Sequence, residues 1–217
     1  TLAGTVGFTI DIDPLTNTYT YNQEAAISNG TEVTATNLTG VGAGNVPFKL
    51  LINVGGTTQD VAMTTKNGES INSDVDDLGI SQGQTFEPGE GVRFDLVNGL
   101  QLINGNPDTY SYDGTHNLTT RWKQTVFINS GKEADIIVSA IVADADNTFF
   151  GDAAGETAID LSTANIKIYD DTGTLITDLA GKGITLTDLG TSIKIEGLED
   201  EWSYEIVTDE ANKFSAV

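Results

Sequence analysis

Hydrophobic positions in this chain recur at every second residue over short runs, and clusters of Gly, Asn, Asp or Thr separate the runs. Val6, Phe8, Ile10 and Ile12 alternate with Gly7, Thr9 and Asp11, the pattern of a half-buried strand. A turn over Asp13–Asn17 follows, and Tyr19 and Tyr21 resume the alternation, which predicts a hairpin. Residues 31–39 are rich in Thr and Val. The apolar run from Pro47 to Val54 ends at Gly55 and Gly56, and residues 57–64 are placed to pair back with it. Val92–Val97, Trp122–Ile128 and Asp135–Val142 read as strands, the last two around a turn at Asn129–Lys132. Ile166–Tyr169 and Thr174–Ile176 flank Asp170-Asp-Thr-Gly, a hairpin signal, and Ile184–Leu186, Ile193–Ile195 and Trp202–Val207 supply further strands. A turn or two near Glu156–Leu161 is the one helix candidate, and no strict internal repeat is present.

Two stretches break the pattern. Residues 65–91 carry no apolar period and hold an isolated Leu78-Gly79-Ile80 anchor, and residues 98–120 are a second long polar segment holding Tyr110, Tyr112, Asp113 and His116. Polar connections of this length inside a domain are usually functional or ordered by a ligand. Many short strands with little helix predict an all-β fold, an antiparallel β-sandwich with long loops. The length of 217 residues suits one large β-domain or two small ones, and the reading adopted is one domain over 1–217. Thr1 in place of a methionine is expected of a segment cut from a longer chain.

Charge changes this picture. Asp and Glu number 32 against ten Lys and Arg, a formal net charge of -22. Such acidity excludes a nucleic-acid partner, because phosphate backbones are bound by Lys and Arg, and an anionic membrane surface. No apolar run approaches the roughly 18 residues of a membrane span. Cysteine is absent, so neither a disulfide framework nor a thiolate metal site is available. The carboxylates cluster at turns, at Asp74–Asp76–Asp77 and at Asp144–Asp146–Asp152. Calcium takes about six to eight oxygen ligands, so such clusters suit it, and the alternative is a solubilising acidic surface. In Ser139–Asp152 a strand runs into an Asp-x-Asp-Asn turn. Asp144, Asp146, Asn147 and Asp152 are candidate ligands there, without the glycine and terminal Glu of an EF-hand.

Other residues carry two readings. Arg93 and Asp95 share one face of their strand, either as a structural ion pair or with Arg93 left to receive a ligand carboxylate. Arg121-Trp122-Lys123 is the only local basic-aromatic cluster, and Trp122 is either core or platform. Trp122, Tyr110 and Tyr112 are also the rings a glycan would stack on. His116 is the sole histidine and reads as an exposed loop residue. No Gly-x-Ser-x-Gly elbow, phosphate loop or zinc spacing occurs, so no enzyme is expected.

The run Gly68-Glu-Ser70-Ile-Asn72-Ser-Asp74, Leu78-Gly-Ile80, Glu87-Pro-Gly-Glu90-Gly-Val-Arg93-Phe-Asp95, then Ala143–Asp152, resembles the peptide-binding domain of giant type I secreted RTX adhesins. Gly197-Leu-Glu, Tyr204–Val207 and Phe214–Val217 are similar to the end of that domain. The resemblance covers the chain from about residue 5 to its end. It implies a β-sandwich loaded with several calcium ions. It also implies an extracellular place on a bacterial surface, a monomeric module, and capture of the free C-terminus of surface proteins partly through a calcium ion. It implies metal ligands among Asn72, Asp74, Asp77, Glu90, Asp95, Asp144, Asp146, Asn147 and Asp152. Arg93, or Arg121 with Trp122, would hold a neighbouring ligand group. A lectin-like module, with Tyr110 and Trp122 on the sugar, and a calcium-stiffened spacer are the alternatives.

Overall fold

In a computed structural model, the structure describes residues 8–13, 18–23, 34–35, 41, 44–73, 78–81, 85–105, 109–128, 132–144 and 155–217. The chain divides into two compact units, 1–34 and 35–217. Unit one holds the expected hairpin. β1 (Phe8–Asp13) pairs antiparallel with β2 (Thr18–Gln23), with Ile10 opposite Tyr21 and Ile12 opposite Tyr19.

Unit two is all β, with antiparallel pairing throughout and short 3-10 turns as its only helical pieces among the described residues. Along the chain come β3 (Gly44–Val46), β4 (Phe48–Leu51), β5 (Asp60–Thr65), β6 (Ile71–Ser73), β7 (Leu78–Ile80) and β8 (Val92–Val97). The Phe48 run pairs back on β5 as its pattern requires, and β5 pairs with β8, placing Ala62 opposite Asp95. The described residues of the 65–91 stretch include two short strands. β6 and β7 pair with each other, β6 also with β3, and Ile71 and Ile80 are buried.

The second polar stretch contains β9 (Gln101–Ile103) and β10 (Thr109–Ser111), which pair with each other. It then folds over one face of β5 and β8. Tyr110 and Tyr112 pack against Ala62, Val97 and Leu100, and His116 bridges to Val97. Both faces of β8 are therefore covered, and residues 93–97 are all buried.

The remaining strands are β11 (Arg121–Thr125), β12 (Ala134–Ser139), β13 (Ile141–Val142), β14 (Thr157–Ala158), β15 (Ile166–Tyr169), β16 (Thr185–Asp188), β17 (Ser192–Leu198) and β18 (Ser203–Val207). β11 and β12 follow each other in the chain but do not pair. They join separate sheets, ordered β11-β18-β15 and β12-β17-β16. The inward residues of both sheets bury one apolar cluster, which includes Ile166, Ile168, Ile193, Ile195, Trp202, Tyr204 and Ile206. The Asp170-Asp-Thr-Gly signal is a tight turn closed by Asp170 N–H to Thr174 O at 3.0 Å, with Tyr169 bridged to Leu175.

The helix expected near Glu156–Leu161 is not formed. Thr157 and Ala158 pair with β13, and Ile159 and Leu161 drop into the core at period two while Asp160 faces out. Backbone partners were within reach across the sheet, and a helix of so few residues carries a nucleation cost that they avoid.

Residues 214–217 act as one more rung. Ala216 bridges Asp95 on one side and Ile141 on the other. Phe94 N–H donates to Val217 O and Leu96 N–H to Ser215 O, each at 2.8 Å, while Ile141 N–H donates to Ala216 O at 2.9 Å. The tail thus joins β4-β5-β8 to β13-β14, and Phe214, Ser215 and Ala216 are fully enclosed. No helix among the described residues is long and apolar enough to cross a membrane.

Candidate functional site

The junction of β8, the tail and the β13-β14 pair gathers charged groups that are far apart in sequence. Alternation on β8 sends Arg93 and Asp95 to the face that the 110–116 segment covers, and burial makes them partners. Arg93 Nε and Nη2 donate to Asp95 Oδ1 at 3.1 and 2.7 Å, and Nη1 lies 2.5 Å from Glu156 Oε1. Arg93 is 4 % exposed and Asp95 0 %. His116 Nε2 stands 3.8 Å from the same Asp95 oxygen, beyond hydrogen-bond reach, and its ring lies edge-on to Tyr112.

The electrostatics follow from this packing. Burial pushes Asp95 up to about 7, against the lowering by the Arg93 charge and hydrogen bonds, and the Glu156 charge adds to the rise. One guanidinium faces two carboxylates, so the junction gains surplus negative charge once Asp95 loses its proton. Asp95 Oδ2 is buried with no hydrogen-bond partner. Such an oxygen carries a desolvation cost that a proton or a cation would relieve.

Asp144 sits next to this junction. Its Oδ2 lies so close to Gly155 that a Cβ there would be 2.3 Å away, and Gly155 has φ 83°, a conformation that favours glycine. The chain therefore leaves at Asp144 and returns at Gly155 in contact with itself, one residue before Glu156. The tail braces the exit, because Ala143 N–H donates to Ser215 Oγ at 3.0 Å.

The remaining expected residues fall in several places. Asp74, Asp77, Asp146, Asn147 and Asp152 lie outside the described residues. Asn72 is half-buried on β6, in a different sheet from Asp95. The Glu90 carboxylate accepts Glu87 N–H at 2.6 Å and closes its own turn. Among the described residues no group of three His, Asp or Glu side chains is arranged to hold a metal ion. Tyr110 packs edge-on to Phe48 at 4.7 Å between ring centroids. Trp122 packs against Phe94 at 5.1 Å and against the core. Arg121 differs from these, with its side chain 61 % exposed while it pairs with Glu205.

Three features were not visible in the sequence. His116 is not an exposed loop residue: its side chain is 7 % exposed, because the 98–120 stretch lies on β8. Glu156 had no motif around it, and only the β13-β14 pairing brings it to Arg93. Glu205 alternates within β18 as an outward residue yet is 3 % exposed. Its long basic neighbours on the adjoining strands would have been the only clue.

Compared with known proteins, the chain matches no family model, no curated protein and no solved structure.

Proposed function

We propose that this chain is a calcium-dependent cell-adhesion module that takes the free C-terminal carboxylate of a partner protein on a cell surface. The observation that carries the reading is the closed neck at Asp144 and Gly155. The ten residues between them include Asp146, Asn147 and Asp152, so a connection carrying three candidate oxygen ligands begins and ends at one braced point. Fixing both ends lowers the entropy cost of gathering oxygen ligands around an ion. Asp144 supplies one carboxylate at that neck, and Asp95 and Glu156, with Arg93 between them, lie at its base. In this reading a ligand carboxylate completes the coordination of the ion, a recognised way of capturing a chain terminus.

Arg93 has a supporting part in this reading. Enclosed by Asp95 and Glu156, it holds the base of the site together and does not meet the ligand. The packing of Tyr110 and Trp122 lends no support to a sugar platform, since both rings engage protein neighbours. In this reading the module works by binding.

The test is binding of one peptide in two forms, free acid and C-terminal amide, in calcium and in chelator, together with the melting temperature in both. Calcium should raise the melting temperature, and only the free acid in calcium should bind. Equal melting and equal binding with chelator would overturn the proposal. Gly155→Ala places a methyl group on the Asp144 carboxylate, so it should weaken calcium binding by about tenfold or more while leaving the β-sheet circular dichroism signal unchanged.

A further inference from the structure

Three of the ten basic residues of this acidic chain share one sheet face. On β11, Arg121 and Lys123 point outward while Trp122 between them packs on the core. Lys123 stands opposite Glu205 on β18, and Glu205 stands opposite Lys167 on β15. The acid in the middle of that row is enclosed by its neighbours. Glu205 Oε1 accepts from Arg121 Nε at 2.8 Å and lies 2.6 Å from its Nη2, and Oε2 accepts the Tyr169 hydroxyl at 2.6 Å. Lys123 Nζ lies 3.8 Å from the centroid of the Tyr169 ring, a cation–π contact that fixes the ammonium group.

Glu205 stays ionised in this setting. Burial raises its pKa, but the Tyr169 and Arg121 hydrogen bonds, with the Arg121 and Lys167 charges, outweigh that and hold it below the usual value. The face therefore carries three cations over one enclosed carboxylate, an excess of positive charge on a molecule whose net charge is -22. The cations are also pre-positioned, by Glu205 for Arg121 and by Tyr169 for Lys123, which lowers the ordering cost of binding.

We infer that the outer face of the β11-β18-β15 sheet docks a short acidic protein segment whose carboxylates pair with Arg121, Lys123 and Lys167. Length follows from the field. The acids Asp170 and Asp171 follow β15 and Asp209 and Glu210 follow β18, so the positive area ends where the strands end. Charges beyond about 8–10 Å are screened at physiological salt, so a short segment feels the patch, while a long polyanion also meets the acidic remainder. Ring chemistry favours protein over glycan. Trp122 is turned to the core and the Tyr169 ring already carries Lys123, so neither offers a sugar an open stacking surface. None of the candidate calcium ligands lies on these three strands, so this docking is independent of calcium and stands apart from the carboxylate capture proposed above.

A fluorescent peptide of alternating glutamate and serine, with its glutamine counterpart, tests this by anisotropy in chelator at low and high ionic strength. The glutamate peptide should bind at low ionic strength and weaken steeply as salt rises, and the glutamine peptide should not bind. Lys123→Gln with Lys167→Gln leaves the Arg121–Glu205 pair in place and should weaken binding by about tenfold or more. Lys66→Gln with Lys132→Gln removes the same charge from exposed sites elsewhere and should leave binding within about twofold. Melting temperatures of both variants separate lost contacts from lost fold. Equal loss in the two double variants would overturn the inference, because net charge alone would then explain the binding. So would tighter binding of a sulfated oligosaccharide than of the peptide, or unchanged binding by the Lys123/Lys167 variant.

Discussion

Arg93 is the residue on which the most local energetics depend. Its guanidinium is enclosed with two carboxylates, and the three are stable only together. Arg93→Met leaves Asp95 and Glu156 buried and uncompensated, and should destabilise unit two by about 3–5 kcal/mol in urea unfolding. Asp95 gives this cluster a pH signature. Its folded pKa of about 7 lies above the usual carboxylate value near ~3.9. Between those values the unfolded chain has lost the proton and the folded chain keeps it. Asp95's contribution to stability therefore falls as pH rises from about 4 to about 7, then levels off. Urea midpoints across that range should show a downward slope that Asp95→Asn removes. Glu205 has the opposite sign. Its folded pKa is depressed, so its contribution is present above the unfolded carboxylate pKa and is lost as pH falls through the folded one. Glu205→Gln should reduce the loss of stability on acidification.

At the scale of elements, the tail strand decides how the sheets of unit two connect. It satisfies backbone groups of β8 and β13 at once and seats Phe214, which is fully buried, in the core shared by the β11-β18-β15 and β12-β17-β16 sheets. Phe214→Ala should cost about 3–5 kcal/mol, the usual range for a large aromatic in a packed core. Hydrogen exchange should find the amides of Phe94, Leu96 and Ile141 among those slowed by the tail, and faster in that variant. Ser215→Ala is a milder change. It removes the acceptor for Ala143 N–H and should cost about 1 kcal/mol, with a matching loss of calcium binding if the neck depends on that brace. The two polar stretches belong to this scale too. Their period gave no strand, because three-residue strands are too short to show alternation, yet Ile71 and Ile80 are buried in the first, and Tyr110 and Tyr112 pack the second against Ala62 and Val97.

For the whole molecule the governing quantity is charge. A net charge of -22 repels itself in the compact state. If calcium loads the acid-rich connections, each ion offsets two of those charges, and a handful would remove about a third to a half of the excess. Added monovalent salt should then raise the melting temperature in chelator more than in calcium, since calcium has already removed part of the repulsion that salt screens. Equal salt effects in both media would mean that the acids are ordinary surface charge.

Period-two alternation determined that the chain is all β, and it located β1, β2, β4, β5, β8 and β15 to β18 closely, because a strand with one buried face must write that face into its sequence. It also put Arg93 and Asp95 on one face, and their ion pair follows from that spacing. Only the tertiary structure decided that both faces of β8 are covered, that β11 and β12 part into different sheets, and that Glu156, His116 and Asp144 come to the same junction. Pairing partners and the folding of long connections depend on contacts between residues far apart in the chain. Local period carries no record of them, because a residue's neighbours across a sheet do not alter the alternation of its own strand.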